Sequence, residues 1–237
     1  MGDGIYVATA GAVAQSMALD VTANNVANAG TTGFRAERVS FREALGRVRS
    51  PDIALVTDDT TTIDRIPGAI TSTGEPFDVA LEGDGYLAVD APGGVRYTRA
   101  GALRPDAEGV LRTATGAAVR SVGGGPLTIP AEATTIDIAR DGTISTELGP
   151  VGQLALARFA PGALRHDGGG NFVATGPPQA GPLPQVIQGS LEGANVNVVR
   201  GVVDLVRVSR TYESLLRLIQ GFHDVESRAA RELGGPT

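Results

Sequence analysis

In the stretch "FDVALEGDGYLAVD" the carboxylates Asp78, Glu82, Asp84 and Asp90 stand close together. Carboxylates at such spacings could form a general acid/base pair or share a hard cation such as calcium. The surrounding alternation explains them more simply, because a strand shows every second residue on one face and Asp84-Gly85 is a turn step. "DAEG", Asp106 to Gly109, is likewise a turn, without the remaining ligands of an EF-hand loop. The chain has two histidines, His166 in a Gly-rich loop and His223 on a helix. Neither stands beside a nucleophile elbow, so no Ser-His-Asp set is visible. The glycine runs 123–125 and 168–170 lack the lysine and the strand-to-helix frame of a phosphate loop, and they read as flexible loops. No residue is assigned to catalysis, to a cofactor or to a metal.

Composition narrows the chemistry further. There is no Cys among 237 residues, which removes disulfides, thiolate nucleophiles and zinc-thiolate sites together. All 20 basic residues are Arg, so a P-loop lysine, a Schiff base and a lysine general base are excluded as well. A net charge of −6 with Arg scattered among Asp and Glu lacks the basic stripe of a nucleic-acid surface. With 4% aromatics and no Trp, stacking platforms for single strands or sugars are poorly supplied.

The elements that would position any functional residue are helical at the two ends. "GIYVATAGAVA", Gly4 to Ala14, ends in a triplet like a signal-peptidase site, but the preceding "MGD" is acidic where a secretory signal needs positive charge. The run is also too short to span a bilayer. It is read as the start of a helix in the mature protein. From Gly4 to Phe34 the only charge is Asp20. Ile5, Ala8, Ala12, Leu19 and Val26 form one stripe, and Tyr6, Ala10, Val13, Met17 and Val21 another beside it. A helix apolar over so much of its circumference must be buried on several sides.

The last part of the chain mirrors this. Val198, Val202, Leu205, Tyr212, Leu216 and Ile219 follow an a/d-like repeat, widened by Val199, Val206, Val208, Leu215 and Phe222. Continuous to about Glu232, this helix would be roughly 55 Å long. Between the helices the period becomes two: "FDVALEGDGYLAV", "GVRYTRAGAL", "GVLRTATGAAV", "LTIP", "TTIDIARDGTIS" and "GQLALARFA" are short alternating or β-branched runs punctuated by Gly turns. The expected class is α+β: N- and C-terminal helices pairing as a coiled-coil-like helical domain, with a central all-β domain. The expected boundaries are 1–44 for the N-terminal helix and turn motif, 45–70 for an extended connector and 71–160 for the β domain. A returning connector at 161–190 and the C-terminal helix at 191–237 complete the division.

Three ordered motifs carry a family resemblance. "LDVTANNVANAGTTGFR" (Leu19 to Arg35) resembles the N-terminal signature of the flagellar basal-body rod and hook family. "LEGANVNVVRGVVDLVRVSRTYESLLRLI" (Leu191 to Ile219) resembles its C-terminal signature. "STGEPFDVALEGDGYLAV" with "RYTRAGAL" looks like the β domain that rod and hook proteins share. Within the family, the length and the opening helix look most like a proximal rod protein. A distal rod or hook paralogue is the alternative, and a secreted β-rich enzyme or carbohydrate-binding module is the alternative from another class. The chain departs from the family's habit at Arg200-Gly201, where an acidic residue is usual, and at Arg35 and Arg217, where lysines are.

The resemblance implies a non-enzymatic structural subunit that leaves the cell's interior unfolded, without a cleavable signal peptide, and polymerises through its terminal helices in the periplasmic rod. Its partners would be its own copies, other rod proteins and the flagellar export apparatus, with no nucleic acid, no membrane insertion and no small-molecule substrate. On this reading Asn24, Asn25 and Asn28 lie near the end of the first helix, where amides can bond open carbonyls or neighbouring chains. Asn28 or Gly30 would be its left-handed cap. Thr31, Thr32 and Gly33 would turn the chain and Phe34 insert as an apolar anchor. Asn195 or Asn197 would cap the last helix. The candidate subunit interface is thus Leu19, Asn24, Asn25, Asn28, Thr32, Gly33, Phe34, Leu191, Asn195, Val196, Val202, Leu205, Tyr212, Leu216 and Ile219.

Overall fold

The computed structural model describes residues 2–39 and 61–233. Residues 45–60 of the expected first connector lie outside them. Two long helices bracket the described chain, α1 at Gly2–Ala27 and α2 at Val198–Leu233. The first strands are β1 (Glu37–Val39), β2 (Thr61–Ile63), β3 (Ile70–Ser72), β4 (Val79–Glu82), β5 (Tyr86–Ala91) and β6 (Gly94–Thr98). Then come β7 (Leu103–Pro105), β8 (Leu111–Thr113), β9 (Ala118–Val119), β10 (Ile136–Ile138), β11 (Thr143–Thr146) and β12 (Gly149–Gln153). The last are β13 (Leu156–Ala157), β14 (Leu164–Gly168), β15 (Asn171–Ala174), β16 (Gln185–Gln188) and β17 (Ser190–Glu192). The α+β class is as expected. Among the described residues no helix is long and apolar enough to cross a membrane.

The chain forms two compact units. One holds the described parts of Met1–Ala27, Glu37–Thr61 and Asn197–Thr237, and the other Asn28–Ala36 with Thr62–Val196. The motif segment Asn28–Ala36, expected with the N-terminal helix, therefore folds into the β-rich unit.

In the β-rich unit an antiparallel sheet runs β14-β15-β6-β5-β9-β8-β7, with β13 also on β5. A three-stranded meander, β10-β11-β12, and the pairs β16-β4 and β17-β3 complete it. Period-two alternation along β5 sends Leu87 and Val89 into the main apolar cluster with Leu103, Leu111, Ile144 and Leu154. Its neighbour Tyr86 joins Phe159 and Phe172 in a second cluster. Truncating one such fully buried leucine to alanine costs about 2–5 kcal/mol.

Residues 164–174, within the segment expected to be a connector, form the hairpin β14-β15. His166 is on β14 rather than in a loop, and it packs between Phe34 and Phe172, 5.3 and 4.5 Å from their ring centroids. Gly168, Gly169 and Gly170 all have positive φ, so this run is a defined hairpin turn that needs glycine, not a flexible loop.

Candidate functional site

In the helical unit α1 and α2 pack antiparallel. A Cβ built on Gly4 would lie 3.1 Å from Phe222 Cζ, one on Gly11 would lie 3.5 Å from Leu215 Cδ1, and one on Gly201 would lie 2.6 Å from Val26 Cγ2. Contacts that advance along one helix as they recede along the other define the register. The glycines set how closely the backbones approach. On α2 the face turned inward is half-buried Gly201, Leu205, Val208, Tyr212, Leu215, Ile219 and Phe222, at alternating spacings of four and three.

The rest of the valine-rich surface of α2 is open in the single chain. Val199 is 77% and Val203 63% exposed, and Val198, Val202, Val206, Leu216, Leu218 and Val225 are exposed as well. Of the expected a/d stripe, Leu205, Tyr212 and Ile219 thus lie on the inward face, while Val198, Val202 and Leu216 lie outside it. On α1, Ala8, Ala12 and Ala18 are buried, whereas Tyr6 and Val7 are more than half exposed. Leu19 is half-buried and Asn24 exposed. The Asn25 amide behaves like an extra strand residue, accepting from Glu37 N at 2.9 Å and donating to Glu37 O at 2.8 Å. Asn197 caps α2 through Oδ1, which accepts from Arg200 N at 3.0 Å.

The remaining motif residues converge in the β-rich unit. The Asn28 carbonyl accepts from Thr31 N at 3.0 Å, starting a turn in which Thr32 is half-buried. Neither Asn28 nor Gly30 is left-handed: Gly33 is, at φ 69°. A Cβ there would collide with the Arg99–Ala100 peptide, and this close approach decides which residue turns the chain. Gly33 N donates to Glu192 O at 2.7 Å, and Asn195 N to Phe34 O at 3.3 Å. The Asn195 side chain accepts from Ala36 N at 2.7 Å and donates to Asp64 O and Ile66 O, so it staples two segments instead of capping α2. Leu191, paired with Thr71 on β3, and Val196 are half-buried.

Inside this convergence is a charged cluster without an assigned role in the sequence reading. Arg35 is 1%, Arg99 4% and Glu192 1% exposed. Glu192 Oε1 lies 2.6 Å from Arg35 Nη2 and Oε2 lies 2.8 Å from Arg99 Nη1. Oε1 also accepts from Gly68 N at 3.0 Å. Further guanidinium N–H groups donate to carbonyls, Arg99 to Leu81 and Gly83 and Arg35 to Arg65 and Ile66, while Arg99 Nε is buried without a hydrogen-bond partner. Arg99 also stands over the Tyr86 ring, 5.5 Å from its centroid. Burial, and then the charge of Arg99, pull the pKa of Arg35 below its ordinary value, with Glu192 opposing. Burial pushes the Tyr86 phenol up, opposed by Arg99, Arg35 and Arg65. The sequence sign of this cluster is that Arg35, Arg99 and Glu192 each fall within one of the three motifs.

Asp78, Asp84 and Asp90 do not meet. Asp78 pairs with Arg104 at 3.0 Å, Asp84 with Arg65, and Asp90 with Arg120 at 2.6 Å. Each carboxylate has its own guanidinium, so they form no shared acid/base or calcium site.

Residues 5–35 match the family model of the flagella basal body rod protein. Residues 80–146 match the flagellar hook protein FlgE/F/G D1 domain, and 187–232 the flagellar basal body rod FlgEFG protein C-terminal model. The chain belongs to the flagellar basal-body rod protein family. It is 37% identical to the flagellar basal-body rod protein FlgF of Escherichia coli, over 97% of each chain. It is 31% identical to the FlgF of Rhizobium meliloti over 99% of each, and 30% identical to the rod protein FlgG of Agrobacterium fabrum over 97% of this chain and 98% of that one.

Proposed function

We propose that this chain is a structural, non-enzymatic subunit of the flagellar basal-body rod, of the proximal, FlgF-like type, joining copies of itself and other rod proteins into a torque-transmitting shaft. The observation that carries the reading is the open valine face of α2, on a helix whose opposite face already packs against α1. Left in water, so much apolar surface is a standing cost and an aggregation hazard. Covered by helices of neighbouring subunits, it becomes part of a wall. In this reading the α1–α2 pair is coiled-coil-like in the rod, and Val202, Leu216 and the outward part of α1 face other subunits. Leu19, Asn24, Asn25, Leu205, Tyr212 and Ile219 hold the pair in shape. Asn28, Thr32, Gly33, Phe34, Leu191, Asn195 and Val196 tie the segment after α1 to the segment before α2 within the β-rich unit. Residues 1–44 and 191–237 then act as the rod-forming ends and 71–160 as the β domain. The subunit travels through the export apparatus and works in the periplasmic rod, without nucleic acid, membrane insertion or small-molecule substrate.

The absence of Cys makes the test direct. Val203→Cys in otherwise motile cells, together with a cysteine introduced on the facing helix of a neighbouring rod subunit to supply the second thiol, should crosslink to that subunit in purified basal bodies treated with a short bismaleimide. A cysteine at exposed Val122 of the β-rich unit serves as the comparison. Crosslinking at 122 with none at 203 would contradict the assignment.

A further inference from the structure

We propose that the Arg35–Glu192–Arg99 cluster is a latch: the N-terminal strap, residues 31–36, closes onto the β-rich unit only when residues 190–195 are already in place or arrive with it. Both guanidiniums end almost fully buried, and arginine cannot shed its charge by deprotonation as a buried lysine can. Closing the strap seats Gly33 on the Arg99–Ala100 peptide and so carries Arg35 toward Arg99, cation toward cation. Their mutual effect is visible in Arg35, whose pKa the charge of Arg99 lowers. The carboxylate bonded to both is Glu192, one oxygen for each arginine. Glu192 comes from β17 and is the last of the three residues to be synthesised. Without it, closure would bury two like charges with carbonyl dipoles and the Tyr86 ring but no countercharge bonded to them, a strongly unfavourable state.

The latch therefore distinguishes a complete chain from an unfinished or clipped one. A β-rich unit lacking its last strand keeps its strap open, with Arg35 in water. The strap then also lacks the Glu192 O and Asn195 partners that bond Gly33 and Ala36.

The test is hydrogen exchange on the full chain, using amides whose acceptors are outside residues 190–195. Asp64 N bonds Ala36 O and Phe34 N bonds Thr31 O, and both report the strap. Gly193 N on Ala69 O reports the C-terminal segment, and Leu111 N on Leu127 O the core. In pulse-labelled refolding, Asp64 and Phe34 should become protected together with Gly193 or after it. Protection of the strap before Gly193 would overturn the proposal. At equilibrium, Glu192→Gln should speed exchange at Asp64 and Phe34 by about 100-fold, and at Leu111 by no more than about threefold. Adding Arg35→Met should restore about tenfold of the loss by removing one unpaired cation. Equal acceleration at Leu111 would make Glu192 a general stabiliser, and unchanged strap amides would make its charge irrelevant; either result overturns the latch. If Glu192→Gln does not fold, the order of protection in the unmodified chain still decides.

Discussion

Gly201 on α2 faces Val26 on α1 so closely that a Cβ on the glycine would come within 2.6 Å of Val26 Cγ2. A glycine inside a helix costs roughly 1 kcal/mol of propensity against alanine. Here it permits a backbone approach that no larger residue allows without movement.

Gly201→Ala should therefore fail to stabilise the helical unit despite its better propensity, because overpacking costs about 1–3 kcal/mol. Val26→Ala in the same chain should return most of the loss by clearing the space. Helical melting followed by circular dichroism reads both. A simple gain from Gly201→Ala alone would show that the two helices are not held at this distance.

Gly33 and Gly168 separate two costs of replacing glycine. Both have positive φ, but a Cβ on Gly168 meets nothing within 4 Å whereas one on Gly33 meets the Arg99–Ala100 peptide. Gly168→Ala should cost roughly 1–2 kcal/mol, the left-handed penalty alone. Gly33→Ala should cost clearly more, since backbone must also move. Urea denaturation of the two variants checks the order, and equal midpoints would contradict the close contact.

The first helix was legible in the sequence because Asp20 is the only charge between Gly4 and Phe34, the last because its apolar residues recur three and four apart among charged ones, and the hairpins because glycine turns separate alternating runs. The inward phase of α2 was not. A helix with valine at 198, 199, 202, 203, 206 and 208 offers nearly the same side chain to several directions, and Gly201, the residue that fixes the contact with α1, carries no hydrophobic signal. The left-handed turn fell on Gly33 instead of Asn28 or Gly30 because a tertiary contact with residues 99–100 selects it. The Arg35, Arg99 and Glu192 cluster joins segments far apart in the chain, where no local spacing could suggest pairing.

Glu147 supplies a pH reporter for the β10-β11-β12 meander. One carboxylate oxygen accepts from Thr134 N at 2.5 Å and Thr134 Oγ1 at 2.8 Å, and the other from Thr135 N at 3.0 Å and Thr135 Oγ1 at 2.8 Å. These bonds, the Thr134 amide first, hold its pKa well below the ordinary glutamate value. A folded-state pKa below the unfolded one means stability that is present above the unfolded-state value and is lost as pH falls through the folded-state value. Carbon-detected titration should place the Glu147 midpoint clearly below the ordinary glutamate range, with Thr134 and Thr135 amides shifting at the same pH. In Glu147→Gln that shared transition should vanish. An ordinary midpoint for Glu147 would mean that these bonds do not persist in solution.

If the open valine face of α2 is what binds neighbouring subunits, a charge there should spare the single chain and stop assembly. Val202 and Leu216 are exposed in the isolated subunit, so Val202→Asp and Leu216→Asp should leave its melting transition nearly unchanged. At a subunit interface the same carboxylate would be buried without a partner, a cost of several kcal/mol. The deciding measurement expresses each variant as the only copy in flagellated cells and scores swarming together with rod recovery from basal bodies, beside the melting curve of the purified chain. Folded subunits, no completed rods and no swarming are expected. Wild-type rods and swarming from a chain carrying both aspartates would contradict assembly through this face.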